Sequence, residues 1–133
     1  MSSLTTSPTD PLLVPRVHEV VAIIDEIPDV VTIRCVPVDG EPFSFLPAQI
    51  GMVGAFGIGE AAISISSPAT ESGFHEYTIR RAGAITSALT RMRPGDQFWV
   101  RGPFGTAWDL DLDGRDIVLA AGGIGLAPLR PVI

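Results

Sequence analysis

Six short stretches rich in β-branched and aromatic residues follow one another along the chain, separated by glycine, proline or Asp-Gly turns. Such stretches are typical of β-strands, and the residues between them are typical of turns and hairpins. The predicted strands are residues 16–25, 30–38, 50–59, 61–66, 75–81 and 97–102. Six short strands with little helix between them favour a mainly β fold, a closed antiparallel barrel rather than an open sheet.

A single stretch before the last predicted strand has the periodicity of a helix. The run TSALTRM starts at Thr86, places its apolar residues at helical spacing and ends before Pro94-Gly95. Gly83 permits a tight turn ahead of it, and the Thr86 hydroxyl is placed to cap the helix. The N–H groups of the first turn would then point at an anion. An ordinary cap without a ligand also explains Thr86, so both interpretations stay open.

The character of the sequence changes at Arg115. An almost wholly apolar run, IVLAA at residues 117–121, leads directly into GGIGLAP at residues 122–128, which is how a parallel α/β domain begins. Glycines there would let backbone N–H groups approach a phosphate, although a plain strand-to-helix turn has the same pattern. Because the sequence stops at Ile133, we expect only the first strand and the helix start of a truncated α/β nucleotide-binding domain.

Composition sets the expected domain boundaries. Hydrophobic residues make up 46% of the chain and charged residues 18%, so the chain should fold. We expect a disordered polar leader at residues 1–14, a barrel at 15–112 and the truncated domain at 113–133. The leader is too polar for a signal peptide, and no stretch approaches the roughly 18 apolar residues of a membrane span. The sequence therefore predicts a cytoplasmic protein that does not use a membrane.

Charge and cysteine usage exclude several classes of function. A net charge of −6 argues against binding to nucleic acid or to an anionic membrane. The single cysteine, Cys35, excludes an intrachain disulfide, a four-cysteine zinc site and a self-contained iron–sulfur cluster. No nucleophile-elbow sequence is present, and the aspartates near residue 110 alternate as in a solvated loop. We therefore predict no catalytic side chain and no metal site.

Four segments resemble, in order, consecutive motifs of the ferredoxin–NADP reductase superfamily. They are AISIS at residues 62–66, IRRAGAITSAL at 79–89, RPGDQFWVRGPFG at 93–105 and AGGIGLAPLRP at 121–131. Within that family the chain is most similar to the gamma subunits of cytoplasmic nickel–iron hydrogenases and to the electron-transfer subunits of sulfite reductase and of dihydroorotate dehydrogenase. The resemblance covers about residues 15 to 133. It implies a six-stranded antiparallel FAD-binding barrel, followed by the start of an NAD(P)-binding domain.

The resemblance also implies a set of cofactor-binding residues, which lie on two strands, one helix start and one loop: Ile63, Ser64, Ile65, Ile79, Arg80, Gly83, Ile85, Thr86, Gly122, Gly123 and Gly125. Ser64 and the strand around it would lie along the flavin ring, and the residues before and within the helix would hold the diphosphate. Where other members have an arginine for the diphosphate, this sequence has Ala61. Arg80 or Arg81 could supply that charge.

The function implied by the resemblance is electron transfer. Bound FAD would exchange electrons with NAD(P)H and pass them to a partner subunit of the iron–sulfur or hydrogenase type, with NAD(P) bound by the full-length protein. Two alternatives stay open. A non-catalytic barrel could bind a partner subunit after losing its flavin, which Ala61 and Ile63 favour, or the chain could be an inactive fragment.

Overall fold

A computed structural model describes residues 12–133, so residues 1–11 of the predicted leader lie outside the described residues. These described residues form six strands, one α-helix and one 3₁₀ helix. In order they are β1 (Arg16–Ile27), β2 (Val30–Pro37), β3 (Ile50–Ala55), β4 (Gly59–Ser64), β5 (His75–Arg80), α1 (Ala84–Thr90), β6 (Gln97–Phe104) and the 3₁₀ helix (Gly123–Val132). The prediction of a mainly β fold with six strands and one short α-helix is confirmed.

The six strands form one antiparallel sheet in the order β4-β3-β6-β1-β2-β5. The two edge strands come together but do not pair along their length. Ile65 and Tyr77 form a single bridge, and the Ser66 N–H donates to the Glu76 carbonyl at 2.8 Å. The chain then turns away at Pro68, which has no N–H to continue a ladder. The predicted closed barrel is therefore a strongly curved sheet whose edges touch without closing.

One predicted strand is shorter than expected, because its last residues form a hairpin turn. The sequence predicts one bent strand over residues 50–59, but β3 ends at Ala55 and β4 begins at Gly59 after a tight turn. Gly57 and Gly59 have φ angles of +79° and +145°, which residues with side chains rarely adopt. The glycines thus make a hairpin turn here rather than a bend within a strand.

The core lies inside the curved sheet and is closed at one end by α1. Its fully buried side chains come from five strands and the helix, and include Val20, Ile33, Val53, Tyr77, Leu89 and Phe98. Alternate residues of each strand face this core, as expected for a sheet with one buried face. Because β4 and β5 meet beside this core, residues from distant parts of the sequence become neighbours on its outer surface.

The strand predicted within residues 116–121 does not form. A parallel strand needs a neighbour to supply its hydrogen bonds, and no strand of residues 12–133 lies beside it. The predicted helix start is a 3₁₀ helix instead, in which Pro128 and Pro131 cannot donate backbone hydrogen bonds. Its Ala127 is buried, and the helix packs on β5. Within residues 12–133, no helix combines the length and apolar character needed to cross a membrane.

Candidate functional site

A cavity of about 300 Å³ lies between β4, β5 and the 3₁₀ helix. The residues that line it are Ala62, Ile63, Ser64, Thr78, Ile79, Arg80, Ile124, Gly125, Ala127 and Pro128. Five of them were predicted from the sequence as cofactor-binding residues: Ile63, Ser64, Ile79, Arg80 and Gly125. The fold therefore brings three separate predicted segments to one place.

The walls of this cavity follow from the alternation along β4. Ile63 is partly buried and packs against the core, whereas Ser64 is half-buried and points the other way. From β5, Ile79 is almost fully buried, and its small exposed part adds apolar surface to the cavity wall. The barrel side of the cavity is consequently apolar, with a hydroxyl at its margin.

Thr78 forms the polar floor of the cavity, and sequence reasoning did not find it. The Thr32 hydroxyl donates to Glu26 Oε1 at 2.7 Å, and the Thr32 and Thr78 hydroxyls are 2.8 Å apart. Since a hydroxyl has one proton to donate, Thr78 donates to Thr32, and Ser66 in turn donates to Thr78 over 3.0 Å. A single threonine in a strand carries no pattern, so only the cross-strand pairing reveals this chain of hydroxyls.

A second cavity of about 560 Å³ adjoins the first beneath the 3₁₀ helix. Both are lined by Thr78, Arg80, Ile124 and Ala127, and the second extends to the β1–β2 hairpin and to Gly123. Gly123 has a φ of +57°, so its left-handed backbone favours glycine. We call these two neighbouring cavities together the groove between the sheet and the 3₁₀ helix.

Arg80 supplies the positive charge at the junction of the two cavities. Its side chain is 45% exposed and pairs with Asp29, with Nε 3.9 Å from Oδ2. A pair this long and this exposed leaves the guanidinium available to another anion. Arg81 lines neither cavity, although its N–H donates to the Asp29 carbonyl at 2.8 Å. Of the two arginines considered from the sequence, Arg80 is the one at the site.

The helix start differs from the prediction. Because Gly83 is the N-cap in an extended conformation, α1 begins at Ala84 and Thr86 is its third residue rather than its cap. The Thr86 hydroxyl accepts the N–H groups of Ala82 at 2.8 Å and Gly83 at 3.0 Å. It therefore stabilises the turn before the helix from inside the first turn.

Three of the predicted residues around the helix lie outside both cavities. Gly83 is exposed, Thr86 is engaged with the backbone, and Ile85 lies next to Gly59, with Cδ1 3.3 Å from the place a Cβ would occupy. The diphosphate contacts assigned to Gly83, Ile85 and Thr86 stay predictions.

Ile65 and Gly122 also lie away from the cavities. The Ile65 side chain is buried in the core, and its N–H donates to the Gln49 carbonyl at 3.2 Å. Gly122 is exposed, and its carbonyl accepts the Gly125 N–H at 3.0 Å. Of the predicted glycine loop, Gly123 and Gly125 are therefore the residues that reach the groove.

Two buried histidines lie in the core rather than in the groove. The His18 Nδ1–H donates to the Arg16 carbonyl at 3.0 Å, and the His75 Nε2–H donates to the Phe43 carbonyl at 2.8 Å. Burial lowers the pKa of His18 from 6.5 to about 4, and it lowers the pKa of His75 as well. Both imidazoles are neutral at pH 7 and serve the packing of the sheet.

Comparison with known proteins gives relatives that match part of their own length. Sulfhydrogenase 1 subunit gamma of Pyrococcus furiosus is 43% identical over 93 residues, 69% of this chain and 32% of that protein. The probable dihydroorotate dehydrogenase B (NAD(+)) electron transfer subunit of Methanocella arvoryzae is 37% identical over 110 residues, 83% of this chain and 39% of that protein. No family model matches the chain.

Among solved structures, phthalate dioxygenase reductase superposes with a TM-score of 0.76 at 17% identity, over 87% of this chain and 37% of that one. The feature that the two proteins share is the fold. Together with the curated relatives, it shows that the chain belongs to the ferredoxin–NADP reductase superfamily. The chain spans only about a third of the length of the curated relatives named here, 32% and 39%.

Proposed function

We propose that the chain binds FAD in the groove between β4, β5 and the 3₁₀ helix, as the flavin-holding part of an electron-transfer oxidoreductase subunit. The observation that carries this proposal is the convergence of Ile63 and Ser64, Ile79 and Arg80, and Gly125 on one cavity. The resemblance of the sequence to a known family implied a cofactor role for these residues, without reference to any distance between them.

The chemistry of the groove suits a flat aromatic ring with polar edges. Its surfaces are formed by Ile63, Ile124 and Ala127, and its hydroxyls are those of Ser64 and Thr78. Ligand sites are typically apolar, with a few polar groups that fix orientation. Bound FAD would supply the redox chemistry, accepting two electrons and releasing them singly, while these residues hold and orient the ring and exclude water.

Arg80 is proposed to take the place of the arginine missing at Ala61. Its guanidinium lines both cavities, and among residues 12–133 its ion pair is the 3.9 Å contact to Asp29. A flavin ring in the smaller cavity would leave the larger one for the charged part of the cofactor. Arginine is suited to that part because its planar fork matches phosphate oxygens.

Electron donor and acceptor are proposed from the relatives. One curated relative is named as a sulfhydrogenase gamma subunit, and another as an NAD(+)-linked electron transfer subunit. We therefore propose that the whole protein exchanges electrons with NAD(P)H and passes them to a partner subunit of the iron–sulfur or hydrogenase type. Gly123 and Gly125 belong to the segment expected to begin the nicotinamide-binding domain.

The experiment is a flavin-retention assay on the purified chain. Excess FAD, FMN or riboflavin is added in parallel, unbound flavin is removed by gel filtration, and the visible spectrum of the protein fraction is recorded. The proposal predicts retained FAD with a perturbed absorption band, and weaker retention of riboflavin, which lacks phosphate. A folded chain that retains none of the three would contradict it and favour a barrel that binds a partner without flavin.

A further inference from the structure

We propose that Glu76, acting through Arg130, positions the segment Gly122–Val132 as the second wall of the groove and thereby slows the release of a bound ligand. The identity of that ligand rests on the proposed function. The contact between the sheet and the segment does not depend on the proposed function. It can therefore be tested on the chain without flavin.

Glu76 is a carboxylate buried on the outer face of β5. Only 3% of its side chain is exposed, and Oε2 accepts Nε and Nη2 of Arg34 at 3.2 and 3.1 Å. The Arg34 guanidinium in turn lies over the Phe74 ring, 4.1 Å from its centroid. One oxygen of the buried carboxylate is thus held by an arginine that is itself fixed on the sheet.

The other oxygen of Glu76 faces the 3₁₀ helix. Arg130 Nη1 lies 3.5 Å from Oε1, across 54 residues of sequence. The Glu76 side chain is 3% exposed and that of Arg130 39% exposed, so losing Arg130 leaves a buried carboxylate with Arg34 as its one charged partner among residues 12–133. Lifting the 3₁₀ helix from the sheet therefore carries a penalty that a neutral pair would lack.

The position of this pair connects it to the groove. Glu76 and Thr78 are two residues apart on the same face of β5, and Thr78 is the floor of both cavities. Arg130 follows Ala127 and Pro128, which line the smaller cavity, and Arg130 itself lines the larger one. The pair thus joins the floor and the second wall at the C-terminal part of the segment.

Glu76 does not line either cavity, so it acts as a positioning residue rather than as a ligand contact. At the opposite end of the segment, Arg80 Nη2 lies 3.7 Å from the place a Cβ on Gly123 would occupy. Besides the Glu76–Arg130 pair, the buried Ala127 and the packing of the 3₁₀ helix on β5 hold this wall. Opening of the segment is then the expected route by which a ligand leaves.

The test measures hydrogen exchange in peptides that cover residues 122–133 of the flavin-free chain. The variants are Arg130→Met, Glu76→Gln and the double variant, with Arg91→Met as the control because Arg91 is exposed at the end of α1. Each single variant is expected to speed exchange about tenfold, equivalent to about 1.4 kcal/mol. The double variant should be no faster than either single one, since both remove the same contact. Arg130→Lys, which keeps the charge, should restore part of the protection.

A second measurement follows the dissociation of FAD from the same variants after dilution into excess riboflavin. Faster dissociation in Glu76→Gln, with Arg91→Met unchanged, is the expected result, because Glu76 lines neither cavity whereas Arg130 lines the larger one. Unchanged hydrogen exchange in Arg130→Met, or additive effects in the double variant, would show that the Glu76–Arg130 pair does not hold the segment on the sheet. Faster hydrogen exchange with unchanged FAD dissociation would contradict the role of Glu76 in positioning the wall of the groove.

If the unaltered chain never binds FAD, the proposed function fails. The exchange data still show whether the Glu76–Arg130 pair holds the segment on the sheet. If Glu76→Gln does not fold, Arg130→Met and Arg130→Lys suffice.

Discussion

The indole ring of Trp99 lies directly against Gly54, in the space that a side chain at residue 54 would fill. The two residues are paired across β3 and β6. Phe98 and Val100 on either side of the tryptophan are buried, so the indole lies on the outer face of the sheet. A glycine in the middle of a strand is normally unfavourable, and here it creates the platform on which a large aromatic ring rests.

Replacing Gly54 with alanine should destabilise the fold, because the new methyl group collides with a ring rather than with a flexible chain end. We expect a loss of about 1–3 kcal/mol in the free energy of unfolding, measured by urea denaturation. Gly122→Ala is the control, since its backbone is extended and nothing lies within 4 Å of the added Cβ. Equal stability of the two variants would show that Trp99 does not occupy this position in solution.

The buried histidines predict a loss of stability in mild acid. The folded-state pKa of His18 is about 4, below its ordinary value of 6.5, so the unfolded chain binds more protons between these two values. The stabilisation is therefore complete above pH 6.5 and declines as the pH falls toward 4, by about 3 kcal/mol for a change of this size. Urea denaturation at a series of pH values between 7.5 and 4.5 measures it.

His18→Asn is the matched variant for this measurement. Its amide nitrogen can take over the hydrogen bond that Nδ1 donates to the Arg16 carbonyl, but it does not titrate. The variant should show a shallower dependence of stability on pH than the unaltered chain. An unchanged dependence would mean that His18 is not the group that titrates.

Filling the groove should block flavin binding without unfolding the sheet. Ser64 is half-buried and lines the smaller cavity, so Ser64→Phe would place an aromatic ring where the flavin is proposed to lie. We expect FAD affinity to fall by at least about tenfold, which corresponds to about 1.4 kcal/mol. Ser72→Phe, at an exposed position outside both cavities, should leave FAD affinity unchanged. Tight FAD binding by Ser64→Phe would place the flavin elsewhere.

Variants of Arg80 and Arg81 test which side chain pairs with the negatively charged diphosphate of FAD. Arg80→Met should weaken FAD binding by about 10- to 100-fold, the effect of losing about 1.5–3 kcal/mol of charge-assisted hydrogen bonding. Riboflavin, which has no phosphate, should be affected far less by the same variant. Arg81→Met is the control, because Arg81 lines neither cavity. Equal effects of the two variants on FAD would contradict the role assigned to Arg80.

Most of the fold could be predicted because its signals are local. The β-branched runs and the turns between them indicated the six strands, and the helical spacing near Thr86 located α1 to within two residues. The strand expected at residues 116–121 failed for a physical reason. A parallel strand is stable only beside a neighbour, so an apolar run alone does not determine whether it forms.

The candidate site was predictable only in part, because some of its contacts join residues that are far apart in the sequence. Ile63, Ser64, Ile79 and Arg80 lie in motifs, and the meeting of β4 with β5 brings them together. The hydroxyl of Thr78 and the contact between Glu76 and Arg130 depend on packing between elements far apart in sequence. No periodicity or spacing in the sequence could have shown those contacts.

The proposal that FAD lies in this groove is tested most directly by NMR. A 14.1 kDa chain is small enough for backbone amide signals to be followed residue by residue while FAD is added. If FAD lies in the groove, the largest changes fall on residues 62–65, 78–80 and 123–127, with little change in the turn at residues 56–58. Changes confined to other parts of the surface, or none at saturating FAD, would contradict it.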